Sequence, residues 1–186
     1  LEALKGFADV RTSGERKNFD YTEYNDGIYV GYRYYTTKNV PVSYPFGYGL
    51  SYTSFKYGKP VVSKDAQGNL TLTVEVKNTG KVAGKEVVQV YVSAPGKDMD
   101  KPARELKGFA KTRKLNPGES QTVSIAIPYE SLASFNEKDS QWQVEAGTYT
   151  VMVAKNAADA KPLKATVSEE GRVTETVRPC LLPEQK

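Results

Sequence analysis

Along residues 69–78, NLTLTVEVKN, apolar and polar positions alternate without a break. Leu70, Leu72, Val74 and Val76 therefore share one face of a strand, because successive side chains on an extended backbone point opposite ways. The same period recurs in SQTVSIAIP, 120–128, through Val123, Ile125 and Ile127, and in GTYTVMVAKN, 147–156, through Tyr149, Val151 and Val153. GKEVVQVYVSA, 84–94, differs: Val88, Val90 and Val92 lie on one face, Val87, Gln89 and Tyr91 on the other. A strand of that kind is expected to be covered on both sides. RELKGFAKTRKL (104–115) and LKATVS (163–168) add strands, and RVTETV (172–177) a terminal edge. NTG at 78–80 and NPGE at 116–119 supply turns, the second with Pro and Gly where a type II turn takes them. KNAADAKP, 155–162, reads as a hairpin loop. YESLASFNEKDSQWQVEAG, 129–147, has no clean period and offers Leu132, Phe135 and Trp142 as core anchors.

Seven or so short strands with turns between them and no helical segment predict an antiparallel β-sandwich of the immunoglobulin or fibronectin type III kind. A single cysteine rules out the Cys…Trp…Cys spacing of true immunoglobulin domains, which favours the fibronectin type III-like variety.

The texture changes near residue 55. Nine of the thirteen tyrosines lie between Tyr21 and Tyr52, in sequence with few aliphatics and no sustained period. GIYVGYRYY, 27–35, is its one candidate element; β-branched and aromatic content favours a strand, though the spacing also tolerates a helical turn or two. These residues cannot bury a core of their own and read as the tail of something larger. The expected division is 1–54 as that tail, 55–178 as the sandwich, and 179–186 as a C-terminal tail or linker. YPFGYGLSYTSF, 44–55, stands at the break, with five rings and three Gly or Pro breakers. Its composition leaves it between an aromatic sugar platform and a buried hinge.

Composition removes several chemistries. The chain has no histidine, so Ser-His and Cys-His nucleophilic machinery is excluded, along with the commonest zinc ligand. Cys180 stands alone near the terminus and reads as a tail residue. Net charge is +4 with the signs interspersed, and the densest basic run, KGFAKTRK at 107–114, reads as a solvated strand face rather than a nucleic-acid groove. No stretch reaches the ~18 apolar residues of a membrane span. Among the acids, Asp20, Glu23, Asp26, Glu86, Glu105, Glu119 and Glu145, most fall in turns or on polar strand faces, where charge is simply solvated. Only Glu23 and Asp26, among tyrosines, suggest a pocket for a paired-carboxylate mechanism. Asp98 and Asp100 in GKDMDKP are too few for a calcium loop, and GYGLS lacks the residues of a phosphate loop. No catalytic, substrate-binding, metal or cofactor residue is assigned from the sequence.

YNDGIYVGYRYY followed by YPFGYGLSYTSF resembles the closing signature of the second catalytic domain in glycoside hydrolase family 3, the β-glucosidase family. The stretch from LTLTVEVKNTG to EAGTYTVMVA is similar to the fibronectin type III-like domain that follows in many members. Two departures are mild: Asp26 where Glu is common, and Tyr48 where His is frequent. The resemblance implies a mainly β region preceded by the Tyr-rich end of an α/β domain. It also implies retaining hydrolysis of β-linked sugars by a parent enzyme whose barrel Asp and acid/base Glu have no counterpart here. The expected partners are the catalytic barrel and α/β domain of that parent, and through them its carbohydrate substrate; the expected address is periplasmic or secreted. On this reading Phe46, Tyr48, Leu50 and Tyr52 pack an interdomain seam. The rival expectation is a stand-alone carbohydrate-binding or adhesion module.

Overall fold

The computed structural model describes residues 27–178. Eleven strands follow a single short helix. They are β1 (Phe55–Tyr57), β2 (Val61–Lys64), β3 (Leu70–Asn78), β4 (Val87–Ser93), β5 (Glu105–Lys111) and β6 (Ser120–Ile127). Then come β7 (Ser134–Asn136), β8 (Gln141–Val144), β9 (Gly147–Ala154), β10 (Leu163–Glu169) and β11 (Arg172–Thr176). The helix, α1, is Tyr32–Thr37. All pairings are antiparallel. In the first sheet β3 is central, pairing with β6 on one edge and with β1 and β2 on the other. The second sheet runs β10-β9-β4-β5, and a small third sheet runs β11-β8-β7.

The alternation read from the sequence sets the core. Leu70, Leu72, Val74 and Val76 of β3 and Val123, Ile125 and Ile127 of β6 are buried from the first sheet. They join Val88, Val90 and Val92 of β4 and Tyr149, Val151 and Val153 of β9, from the second. Each such side chain contributes about 1.5–3 kcal/mol of transfer free energy. Burial pushes the Tyr149 hydroxyl up to about 12. Where β5 approaches β6, only glycine fits: a Cβ on Gly108 would stand 2.7 Å from Ile125 Cγ2. A bulge sits in the same stretch, the β4–β5 register slipping between Val90 and Tyr91.

Buried Asn78 ties the first sheet to its surroundings. Its Oδ1 accepts from the Thr53 hydroxyl at 2.6 Å and from Gly80 N–H at 3.0 Å, and its Nδ2 donates to the Val82 and Leu115 carbonyls at 2.8 and 2.9 Å. At the other end, Lys64 of β2 pairs with buried Glu169 of β10 at 3.2 Å, across the two sheets.

Two expectations fail. Residues 27–35 do not form a strand: Gly31 takes φ 59° and starts α1, which is closed by Asn39 at φ 53° and followed by Val40-Pro41. The positive φ of Gly31 and Asn39 brackets one short helical stretch, and Pro41 disfavours its continuation. Phe135 and Trp142 are not core anchors. They face each other on β7 and β8 with ring centroids 5.4 Å apart, both partly exposed, while Leu132 and Ala133 enter the core from the 3-10 turn Tyr129–Leu132. The rings lie on the small third sheet, where no second layer of described residues covers them.

Candidate functional site

The second face of β4 is covered by the Tyr-rich segment. Tyr91, Met152, Ala154 and Ala157 form a separate buried cluster there, with Tyr32 and Leu106 packed against it. α1 is fastened to the sandwich at three points. The Tyr32 hydroxyl accepts from Leu106 N–H at 2.8 Å, Thr37 Oγ1 accepts from Ala103 N–H at 2.9 Å, and Arg33 pairs with Glu105 at 3.2 Å. The Tyr32 ring stacks on Phe46 at 4.7 Å and meets Tyr91 edge-on at 6.1 Å. The chain then turns: Tyr48 N–H donates to the Pro45 carbonyl, with Gly47 at φ 79° in the third position of a type II turn. Ala157 N–H donates to the Phe46 carbonyl at 2.8 Å.

Beyond this turn the rings leave the protein. Leu50 is 89% and Tyr52 98% exposed, and Phe109 of β5 is 68% exposed beside them. Phe46 and Tyr48 are half exposed. Phe46, Tyr48, Leu50 and Phe109, together with Phe55, Lys85, Glu86, Gln89 and Asn156, line an open groove of about 680 Å³. The structure thus brings Phe46, Tyr48 and Leu50 to one groove, whereas Tyr52 lies outside its lining. Glu86 is the groove's carboxylate: it accepts the Tyr57 hydroxyl at 3.0 Å, and burial pushes its own carboxyl up. The Tyr57 hydroxyl is pushed up too, by burial first and then by the Glu86 charge.

The remaining acids are engaged elsewhere. Glu145, expected to be solvated, is buried: its carboxylate accepts from the N–H groups of Gly96, Asp98 and Met99 and faces Lys101 Nζ at 3.7 Å. The GKDMDKP loop therefore wraps around a carboxylate, leaving Asp98 and Asp100 outside. Glu105 holds Arg33 and Lys107, and Glu119 holds Arg113. No group of three or more potential metal ligands occurs among the described residues. Asp20, Glu23, Asp26 and Cys180 lie outside the described residues.

Residues 86–157 match the family of fibronectin type III-like domains. The relatives decide which kind. Thermostable beta-glucosidase B of Acetivibrio thermocellus is 41% identical over 162 residues, covering 86% of this chain and 21% of that protein. An exo-alpha-(1->6)-L-arabinopyranosidase of Bifidobacterium longum is 44% identical, over 75% of this chain and 18% of its own length. Beta-glucosidase 3B of Thermotoga neapolitana, solved with glucose, superposes at a TM-score of 0.76 with 50% identity, over 81% of this chain and 21% of that one. The chain is a homologue of the C-terminal, fibronectin-like region of family 3 β-glucosidases. It spans about a fifth of the length of these relatives.

Sequence reasoning missed the buried tie made by Asn78 and the burial of Glu145. One signal was present: the apolar second face of β4, which required a cover and has one.

Proposed function

We propose that this chain is the non-catalytic supporting region of a β-glucosidase-type hydrolase, and that the groove at Phe46, Tyr48 and Leu50, with Tyr52 at its margin, is the seam onto the parent's α/β domain. The observation that carries this is the two-sided packing of the Tyr-rich segment. Its inner side is hydrogen-bonded to β4 and to the β9–β10 loop, while its outer side presents Leu50 and Tyr52 to solvent, with Phe109 of β5 exposed nearby. Exposed apolar patches of this kind mark interaction surfaces. The boundary at residues 54–55 is then the passage from that seam into β1.

The support is indifferent to the sugar. One relative is named for β-glucosides and another for an arabinopyranoside, so specificity belongs to the parts of the parent outside the aligned fifth. An aryl β-glucoside assay on the chain alone is expected to show no turnover above background; clear turnover would sink the reading.

The partly exposed Phe135–Trp142 pair is the observation that favours the rival, a carbohydrate-binding module. Trp142 is the chain's single tryptophan, so its fluorescence isolates that surface. Titration with soluble β-glucans is expected to leave it unchanged, whereas a saturable change would favour the rival.

A further inference from the structure

Behind α1 lies a second cavity, of about 580 Å³, separate from the aromatic groove except at Phe46. One wall is ring and prolyl surface from Tyr35, Pro41, Tyr44 and Pro45; the facing wall is the β9–β10 loop at 157–160, with Arg104. The size suits a small molecule.

Arg104 is the cation of this cavity, and among the described residues no ion pair answers its charge. Its Nη1 donates to the Asp159 carbonyl at 3.1 Å, while its Nε is buried and donates to no acceptor among the described residues. The Asp159 carboxylate forms no ion pair with it; Oδ2 accepts from Lys155 N–H and Oδ1 from Lys161 N–H. The neighbouring acid, Glu105, is shared by Arg33 and Lys107. Among the described residues Arg104 has no carboxylate within ion-pair distance. A guanidinium offers a planar fork that matches a carboxylate through two parallel N–H donors. The lining holds one cation, Arg104, and one acid, Asp159, whose carboxylate is turned to the backbone N–H groups of Lys155 and Lys161; so small a positive charge suits a monoanion rather than a phosphate dianion. The apolar wall opposite suits a flat or ring-shaped body.

We propose that this cavity binds a small carboxylate carried on a ring, Arg104 gripping the carboxylate and the tyrosyl and prolyl wall holding the ring. Two sources share that chemistry, an aromatic acid and a sugar acid. The site shares only Phe46 with the seam, and Arg104 lies outside it, so a test at Arg104 stands or falls separately from the supporting role.

The test is a titration of the full chain with sodium benzoate and with sodium glucuronate, followed by backbone amide chemical shifts. Benzyl alcohol and methyl β-glucoside serve as neutral counterparts. Saturable binding is expected at about millimolar concentration for at least one acid, with its neutral counterpart at least ~10-fold weaker. Shift changes should centre on residues 35–45, 104 and 157–160. Tighter benzoate would assign the aromatic-acid source, and tighter glucuronate the sugar-acid source. Arg104→Met should abolish the preference for the anion, and Arg104→Lys, which keeps the charge without the fork, should retain part of it. Failure of both acids to saturate, equal binding of the neutral counterparts, or unchanged binding in Arg104→Met would each overturn the proposal. The neutral counterparts on the unaltered chain, together with Arg104→Lys, decide the matter even if Arg104→Met does not fold.

Discussion

The side-chain nitrogen of Gln89 donates to the Gly47 carbonyl at 2.8 Å, joining the second face of β4 to the turn of the aromatic segment. The same nitrogen donates to the Lys155 carbonyl at 2.8 Å, and the Tyr91 hydroxyl donates to Gln89 Oε1 at 2.8 Å. A buried amide is thereby bonded through both donors and its oxygen. Gln89→Leu would leave two carbonyls and a hydroxyl without partners, and is expected to cost about 2–3 kcal/mol. Gly47→Ala should be harmful by a different route: the φ of 79° disfavours any side chain, and a Cβ would stand 2.0 Å from Gln89 Oε1. Urea unfolding measures the first effect. Faster amide exchange at Ala157, whose N–H is bonded to the Phe46 carbonyl, reports release of the segment in both variants. Unchanged midpoints and exchange would show that the segment is held by something other than this bond.

The Glu145–Lys101 pair gives a prediction of rank. Glu145 has three backbone N–H donors besides the lysine, whereas Lys101 has no other salt-bridge partner among the described residues. Glu145→Gln places an NH2 among N–H donors and strands a buried ammonium, so a loss of about 3–5 kcal/mol is expected. Lys101→Met leaves the carboxylate with its backbone bonds and should cost less. Equal or reversed losses in urea melts would contradict the idea that the loop is organised around the carboxylate.

The strands were legible because a half-buried strand writes its inner face into every second residue, as Leu70 to Val76 and Val123 to Ile127 do. The double-sided β4 announced a cover without naming it. What escaped were features of period-free segments. Trp142 looks like a core residue by type alone, yet its depth depends on whether another layer lies over β8. Glu145 looks like a solvated acid, yet its environment is set by a loop some forty-five residues earlier. Arg104 opens the stretch read only as a strand, 104–115, and the fold brings it into one cavity with Tyr35 and Tyr44. Long-range pairing, not local propensity, made these sites, and a single sequence carries no periodic trace of it.

Leu50 and Tyr52 separate support from self-sufficiency. Both are nearly fully exposed in this chain, so Leu50→Asp and Tyr52→Ser should change its stability by less than about 0.5 kcal/mol. In the parent enzyme the same substitutions would place a charge or a void in the seam, and there the melting temperature should fall. Differential scanning calorimetry on both proteins makes the comparison. Equal insensitivity in the parent would remove the seam.

Stability in acid should be governed by two exposed turn carboxylates. Asp65, between β2 and β3, is held below its ordinary value of 3.8 chiefly by the Asn69 side chain, with backbone N–H groups adding to it. Glu119 is held below its ordinary 4.5 chiefly by Asn116 N–H, and also by Arg113. For both, the unfolded chain binds the proton more readily. Their contribution is therefore complete above the ordinary value and is lost as pH falls through the lower, folded value. Glu86 has the opposite sign: burial raises its carboxyl, so what it contributes is present below the ordinary value and fades as pH rises through the higher, folded one. The acid limb of the stability curve should accordingly flatten in Asp65→Asn and Glu119→Gln and steepen in Glu86→Gln. Urea midpoints measured from about pH 6 down to about pH 3 check the three signs together. An acid limb that keeps its slope in the double Asp65→Asn, Glu119→Gln variant would mean that other carboxylates govern it.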